Sequence, residues 1–263
     1  MRARGKPMNM KWFFKRLFGL PANARDDREA RLMAMGATYI ELDQMLDQIT
    51  ARLGDRSTPA VRKDLIKEAF ANWDMESERV ACPLCQQTLA RDWDITDNSS
   101  AIETLLWLLR EGHRTQFEHF VAALDATGGD KAAMRALLGD AVDDGAYAQA
   151  LYWRPRLTKS GILAWDLARA IQVMRLSYNA GFFDEDDAWT FLEKLEMPAA
   201  QINSWQEFGR SYLAGLEFWS GQMESQYREI VGRLLQHAYS PWAQYPWPQT
   251  RAPSRSGSGE APE

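Results

Sequence analysis

The chain is poor in the residues on which much protein chemistry depends. It carries 2 cysteines and 3 histidines in 263 residues. Two thiols cannot supply a disulfide framework. Cys82-Pro83-Leu84-Cys85 is a C-x₂-C pair and so half of a zinc site, but no second pair follows it. His113 and His119 are six apart, about 240° around a helix, and do not converge. The same cysteine spacing occurs in redox sites set between a strand and a helix, a context that the residues around Cys82 do not provide. Two ordinary, partly buried thiols are expected, with no metal and no cofactor. A phosphate-cradling glycine loop, a nucleophile elbow and an H-E-x-x-H motif are also missing. No catalytic residue is therefore assigned.

Long apolar runs are missing too. No stretch reaches the roughly 18 uninterrupted apolar residues that a membrane span needs. Trp12-Phe13-Phe14 is cut at once by Lys15-Arg16 with no small-residue cleavage site after it, so no secretory leader is expected. The expected compartment is the cytoplasm. Basic charge is concentrated at the start: Arg2, Arg4, Lys6, Lys11, Lys15 and Arg16 meet no acid in the first 20 residues, although the whole chain has a net charge of −5. An acidic body lacks the basic face that displaces counterions from phosphates, so no nucleic-acid partner is expected. Alternating strand patterns and internal repeats are absent as well.

What is present is helical periodicity and tryptophan, 11 residues of it. Most of the Trp fall on helical apolar stripes, which favours a bulky packed core over an aromatic groove. The expected fold is all-α: one multi-helix domain over 23–248, a basic amphipathic segment over 1–22 and a disordered tail over 249–263. In the first segment, Phe13, Phe14, Leu17, Phe18 and Leu20 share one face, with Lys11, Lys15 and Arg16 opposite. Trp12, Phe13, Phe14, Lys15, Arg16, Leu17 and Phe18 are thus candidates for a membrane-surface or partner contact; packing against the chain's own domain is the alternative. Met8 and Met10 leave the translation start open between Met1 and Met8.

Further along, Leu42, Met45, Leu46, Ile49 and Leu53 keep helical spacing up to Gly54. Thr58 with Pro59 opens a helix whose expected buried stripe is Val61, Leu65, Ala69 and Trp73. Ser100 and Glu103 have capping-box spacing, and Leu105 to Leu109 suggest a central, all-round buried helix. Gly112 interrupts it, and the soft stretch 127–144 marks a possible division. A helix is expected over 161–180, ending at Gly181, with Asp166 and Arg169 paired on its surface. Asp184 caps the next helix. Ser204 and Glu207 open another, with Trp205, Phe208, Tyr212, Leu216 and Trp219 on its buried arc and Gln206, Arg210 and Glu217 opposite. Gly209 and Gly215 invite close approach of a neighbouring helix.

Taken together, Ala164-Trp165-Asp166-x-x-Arg169, Arg175, Gly181, Glu185, Ala188-Trp189, Ser204-Trp205-x-Glu207-Phe208-Gly209-x-x-Tyr212-x-x-Gly215, Phe218-Trp219, Ser240-Pro241-Trp242 and Pro246-Trp247 resemble a bacterial family catalogued as domain of unknown function 1266. Trp93-Asp94-Ile95 and Leu105 to His113 extend the resemblance, which covers roughly 87–247. It implies no catalytic assignment. The candidate ligand- or partner-binding residues are Trp165, Asp166, Arg169, Arg175, Trp205, Glu207 and Tyr212. Asp166–Arg169 and Glu207 also have structural explanations, as an ion pair and a helix cap. With no catalytic set, the expected function is a non-enzymatic protein-binding or adaptor role. The alternatives are an enzyme or small-molecule binder using a polar pocket at Asp166/Arg169, and peripheral membrane attachment through residues 11–20.

Overall fold

Helix starts in this chain are set by short polar side chains that accept the free N–H groups of a first turn. In the computed structural model, which describes residues 23–40, 42–53, 58–71, 73 and 82–248, Asp26 caps α1 (Asp27–Ala34) and Thr58 caps α3 (Pro59–Phe70), with Pro59 in its first turn. Asp130 caps α7 (Lys131–Leu138), Asp143 caps α8 (Asp144–Trp153) and Asp184 caps α10 (Glu185–Lys194). The other helices are α2 (Leu42–Arg52), α4 (Pro83–Trp93), α5 (Asn98–Arg110), α6 (Gly112–Ala126), α9 (Leu163–Asn179), α11 (Glu196–Ala199), α12 (Trp205–Ser220), α13 (Ser225–Gln236) and α14 (Pro241–Gln244). No strand forms among the described residues, and the fold is all-α. No helix there is long and apolar enough to cross a membrane. Residues 11–20, with Trp12 to Phe18, Gly54 and the tail from 249 onward lie outside the described residues.

The centre of the molecule is α9. Within it only Arg169, Gln172 and Arg175 escape full burial, and it packs against α12, α5, α4, α10 and α6. It ends as its sequence predicts. The Gly181 N–H donates to the Tyr178 carbonyl and the Phe182 N–H to the Ser177 carbonyl, with Gly181 at a φ of +83° that favours glycine. Against it lies α12, and Gly215 is where the two approach: a Cβ there would stand 2.3 Å from Trp165 Cβ. Gly209 meets Val231 of α13 in the same way, at 2.8 Å.

Residues 242–247 close the core. Trp242 stacks flat on Trp205 at 4.9 Å, and Trp247 stands edge-on to Trp205 at 4.6 Å. Each indole N–H finds a carbonyl: Trp205 donates to Tyr245, Trp242 to Ala34 and Trp247 to Ile202. The Trp242 bond ties α14 to α1 across 208 residues of sequence. Met134 and Val142, in the soft stretch 127–144, are buried in the same core.

Several expectations need correction. The α3 stripe is shifted: Ile66, Phe70 and Trp73 are buried while Val61 is 48% exposed, because the helix turns its Ile66–Phe70 edge to the core. The capping box belongs to Asp97 and Ser100 rather than Ser100 and Glu103, so α5 starts earlier; Asp97 offers a charged acceptor where Ser100 offers a hydroxyl. That helix is not central either. Ala101, Leu105 and Leu108 face the core and Ile102 and Trp107 are exposed, because α9 occupies the middle. In α12, Trp219 is 61% exposed and Glu217 fully buried. The Glu217 carboxylate accepts from Trp153 Nε1 (2.8 Å), Arg228 Nε (2.5 Å) and Nη2 (2.7 Å), and the Glu224 N–H (3.1 Å), a saturated set that makes its burial tolerable.

The α9–α12 contact predicts opposite outcomes for two glycines. Gly215→Ala is expected to cost about 1–3 kcal/mol through overpacking against Trp165. Gly232→Ala, in α13 with nothing within 4 Å of the new Cβ, is expected to stabilise by about 0.4–1 kcal/mol. Urea denaturation of both variants checks this, and equal signs would contradict the described packing.

Candidate functional site

Asp166 sits one turn into α9 and is 0% exposed. A buried carboxylate has to be compensated, and the start of α6 compensates this one. The N–H groups of His113 (2.8 Å) and Arg114 (3.2 Å), both in the first turn of α6, donate to its two oxygens. A helix N-terminus favours such an anion. Arg114 Nη1 adds a charge-assisted bond at 3.0 Å. The same guanidinium donates to the carbonyls of Leu108 (2.9 Å) and Leu109 (2.7 Å) in the last turn of α5. One ion pair therefore closes the end of α5, the start of α6 and the flank of α9. Gly112 makes room for it: its φ is +60°, and a Cβ there would lie 2.1 Å from Asp166 Oδ2.

Arg169 takes no part in that pair. No hydrogen bond or ion pair between Asp166 and Arg169 forms among the described residues, which corrects the expected surface pairing: the His113 N–H takes Oδ1, and the Arg114 N–H and Nη1 take Oδ2. The Arg169 guanidinium instead packs on indoles, its Cζ 4.2 Å from the ring centre of Trp93, 4.8 Å from Trp165 and 5.6 Å from Trp219. Burial pushes its pKa down, and the nearby Tyr39, Asp166 and Tyr212 oppose that shift. It remains a cation, since arginine starts far above any physiological pH. Tyr212 lies edge-on to Trp165 at 5.4 Å and to Tyr39 at 6.2 Å. Burial raises the pKa of both tyrosines, so both stay neutral. His113 extends the cluster, edge-on to Trp107 at 4.9 Å and to Trp165 at 6.4 Å. Trp165 Nε1 is buried without a hydrogen-bond partner.

Of the candidate residues, Trp165, Asp166, Arg169 and Tyr212 thus come together. Arg175 lies further along α9, half-buried near its C-terminal end, where its carbonyl accepts from Asn179 Nδ2. Trp205 belongs to the tryptophan stack at the chain's end. Glu207 fastens the loop before α9: Ser160 Oγ donates at 3.0 Å, Thr158 Oγ1 donates to the same oxygen, and the other takes the N–H and Nδ2 of Asn203, both 3.0 Å. Ser204 caps the Glu207 N–H as expected, but the carboxylate reaches back to Asn203 rather than to the cap residue. Burial opposes ionisation of Glu207, yet the bonds from Thr158, Asn203 and Ser160 outweigh it and hold the carboxyl below the usual range. Glu217 follows the same balance, burial overcome by Arg228, the Glu224 N–H and Trp153. The cysteines play a local part, the Cys82 thiol capping α4 by accepting from the Cys85 N–H at 3.2 Å.

Sequence reasoning missed Gly112, Arg114 and Trp93 at this site. A glycine directly before His113-Arg114, inside an otherwise helical run, was the available signal.

Residues 88–247 match the family described as protein of unknown function (DUF1266). The chain belongs to that family. No curated protein and no solved structure matches the chain. In this member of DUF1266 the matched stretch contains the whole Asp166 clamp and the Arg169 cluster from Trp93 to Trp219. It leaves α1 to α3 outside, although the Trp242–Ala34 bond joins α1 to it.

Two predictions follow from this geometry. In double-mutant cycles, Asp166→Asn is expected to couple more strongly to Arg114→Met than to Arg169→Met, with the Asp166→Asn change alone costing about 3–5 kcal/mol. Equal coupling would restore the expected Asp166–Arg169 pair. The lowered pKa values of Glu207 and Glu217 set the acid limb: a depressed folded pKa gives stability that is full above the unfolded value of about 4.3 and is lost as pH falls through the folded value. Urea midpoints are expected to decline from about pH 5 downward, and Glu217→Gln is expected to flatten that decline.

Proposed function

We propose that this chain is a non-enzymatic binding protein, an adaptor of a bacterial cytoplasm, and that it takes a protein partner on the face built by Trp93, Arg169 and Trp219. The observation that carries the reading is the Arg169 guanidinium, held between three tryptophans with its hydrogen-bond donors left unspent by the described residues. Arg and Trp are the residues in which binding energy concentrates at protein interfaces. A planar guanidinium already stacked and oriented loses little freedom on meeting a carboxylate. The exposed Trp219 offers apolar area beside it. The partner chemistry that fits is an acidic side chain or a chain-terminal carboxylate flanked by an apolar residue.

The carboxylates support this reading over catalysis. A general acid at neutral pH needs a raised pKa and access to substrate. Asp166 is fully buried and bonded to α6, while Glu207 and Glu217 are held below their usual range by their partners.

The test is affinity purification from the native host with the intact chain, Arg169→Ala and Trp219→Ala, followed by calorimetry on any stoichiometric partner. Each variant is expected to weaken binding about 30-fold or more, the scale of an interface hot spot. Recovery of no partner, or equal affinity for all three proteins, would sink the proposal.

A further inference from the structure

A second arginine with an unpartnered donor lies away from the Trp93–Arg169–Trp219 face. A cavity of about 230 Å³ opens between α1, α11 and the chain at Trp247 and Pro248. Its walls are apolar: Leu32 and Met35 on one side, Ala199 and Ile202 on another, Trp247 on a third. The Trp247 wall is fixed, because its indole N–H is spent on the Ile202 carbonyl at 2.7 Å and its ring stands against Trp205 and Phe208. A pre-formed apolar pocket with a few polar groups is the usual form of a small-molecule site.

The polar groups here are Arg28, Glu196 and Arg31. Arg28 and Glu196 satisfy one another, Nε to Oε1 at 2.9 Å and Nη2 to Oε2 at 2.5 Å. Arg31 is different. Its Nε is buried and has no hydrogen-bond partner. A buried donor of a permanent cation is costly to leave unpaired, and a carboxylate is the acceptor that matches its fork.

We propose that this cavity binds a small organic monocarboxylate with an apolar body, the carboxylate on Arg31 and the hydrocarbon against Leu32, Met35, Ile202 and Trp247. Size limits the ligand. A cavity of about 150 Å³ accommodates benzene, so 230 Å³ scales to about nine non-hydrogen atoms. Straight-chain acids of six to eight carbons are therefore suitable probes.

Calorimetric titration of the intact protein with butanoate, hexanoate, octanoate, decanoate and octan-1-ol, at constant ionic strength, tests this. Affinity is expected to rise about fourfold per methylene as chain enters the cavity and to stop rising beyond octanoate. Octan-1-ol is expected to bind at least tenfold more weakly than octanoate, the worth of a hydrogen bond to a charged group. Arg31→Met should bring the two ligands level, and Ala200→Phe, at an exposed residue lining the cavity, should remove binding of both while leaving the helical circular dichroism unchanged. Arg169→Ala should leave octanoate affinity within twofold, which separates this site from the partner face. The proposal is overturned by no saturable binding of any acid, by equal affinity for octanoate and octan-1-ol in the natural chain, by affinity that climbs through decanoate, or by binding that survives Ala200→Phe.

Discussion

The structure depends on where the Asp166 charge goes. A carboxylate with no solvent contact in the first turn of the central helix would be untenable alone, since desolvating it costs several kcal/mol. It is made tolerable by the two N–H groups at the start of α6 and by Arg114, which also takes the last carbonyls of α5. The break between α5 and α6 and the positive φ of Gly112 accommodate this arrangement. With Asp166 neutralised from that side, Arg169 on the next turn has no carboxylate to hold it. It settles among the indoles instead, where cation–π contact supplies about 0.5–2 kcal/mol.

Tryptophan does in this fold what a larger apolar core would otherwise do. Trp205, Trp242 and Trp247 bury wide ring faces, and each returns its single donor to a backbone carbonyl. Such rings are specific: they pack in few orientations, and a carbonyl acceptor fixes which one. Glycines 209 and 215 are the complement, since an indole or a valine on the facing helix occupies the space a Cβ would need. Large rings and missing side chains are thus two halves of one packing solution.

Much of this was readable from the amino acids, and the misses have a common cause. Local grammar was legible: the Thr58 and Asp184 caps, the Gly181 terminus, and the close approaches at Gly209 and Gly215 each involve residues within a few positions or a residue type with one physical use. Partner choice across the fold was not. Spacing alone pairs Asp166 with Arg169, an interaction worth about 0.2–0.5 kcal/mol on a helix surface. A helix N-terminus plus a charge-assisted arginine, contributed from 52 and 53 residues away in sequence, outcompetes it. Glu217 was misplaced for the same reason, because Arg228 and Trp153 become neighbours only once α8 and α13 have packed on α12. The Val61 stripe failed differently: two faces of α3 carry apolar residues, and only the tertiary contacts of Ile66 and Phe70 choose between them.

The polar chemistry of the molecule is lopsided, and that asymmetry bears on what it can do. Its buried carboxylates, Glu29, Asp166, Glu207 and Glu217, are each bonded by donors of the chain itself. Two of its arginines are in the opposite condition. Arg169 is stacked and oriented without an acceptor, and Arg31, which lines the cavity, has its Nε buried without a hydrogen-bond partner. The two proposed binding sites both rest on these unspent guanidinium donors. The two proposed sites differ in form, a half-buried guanidinium beside the exposed Trp219 and an open-mouthed cavity of about 230 Å³ at Arg31. The first suits a group presented on a large surface and the second a small free acid. Trp247 lines the cavity and stands edge-on to Trp205, which stacks on the Trp242 that bonds Ala34 of α1, so the cavity lies two rings away from the contact that joins α1 to the family core.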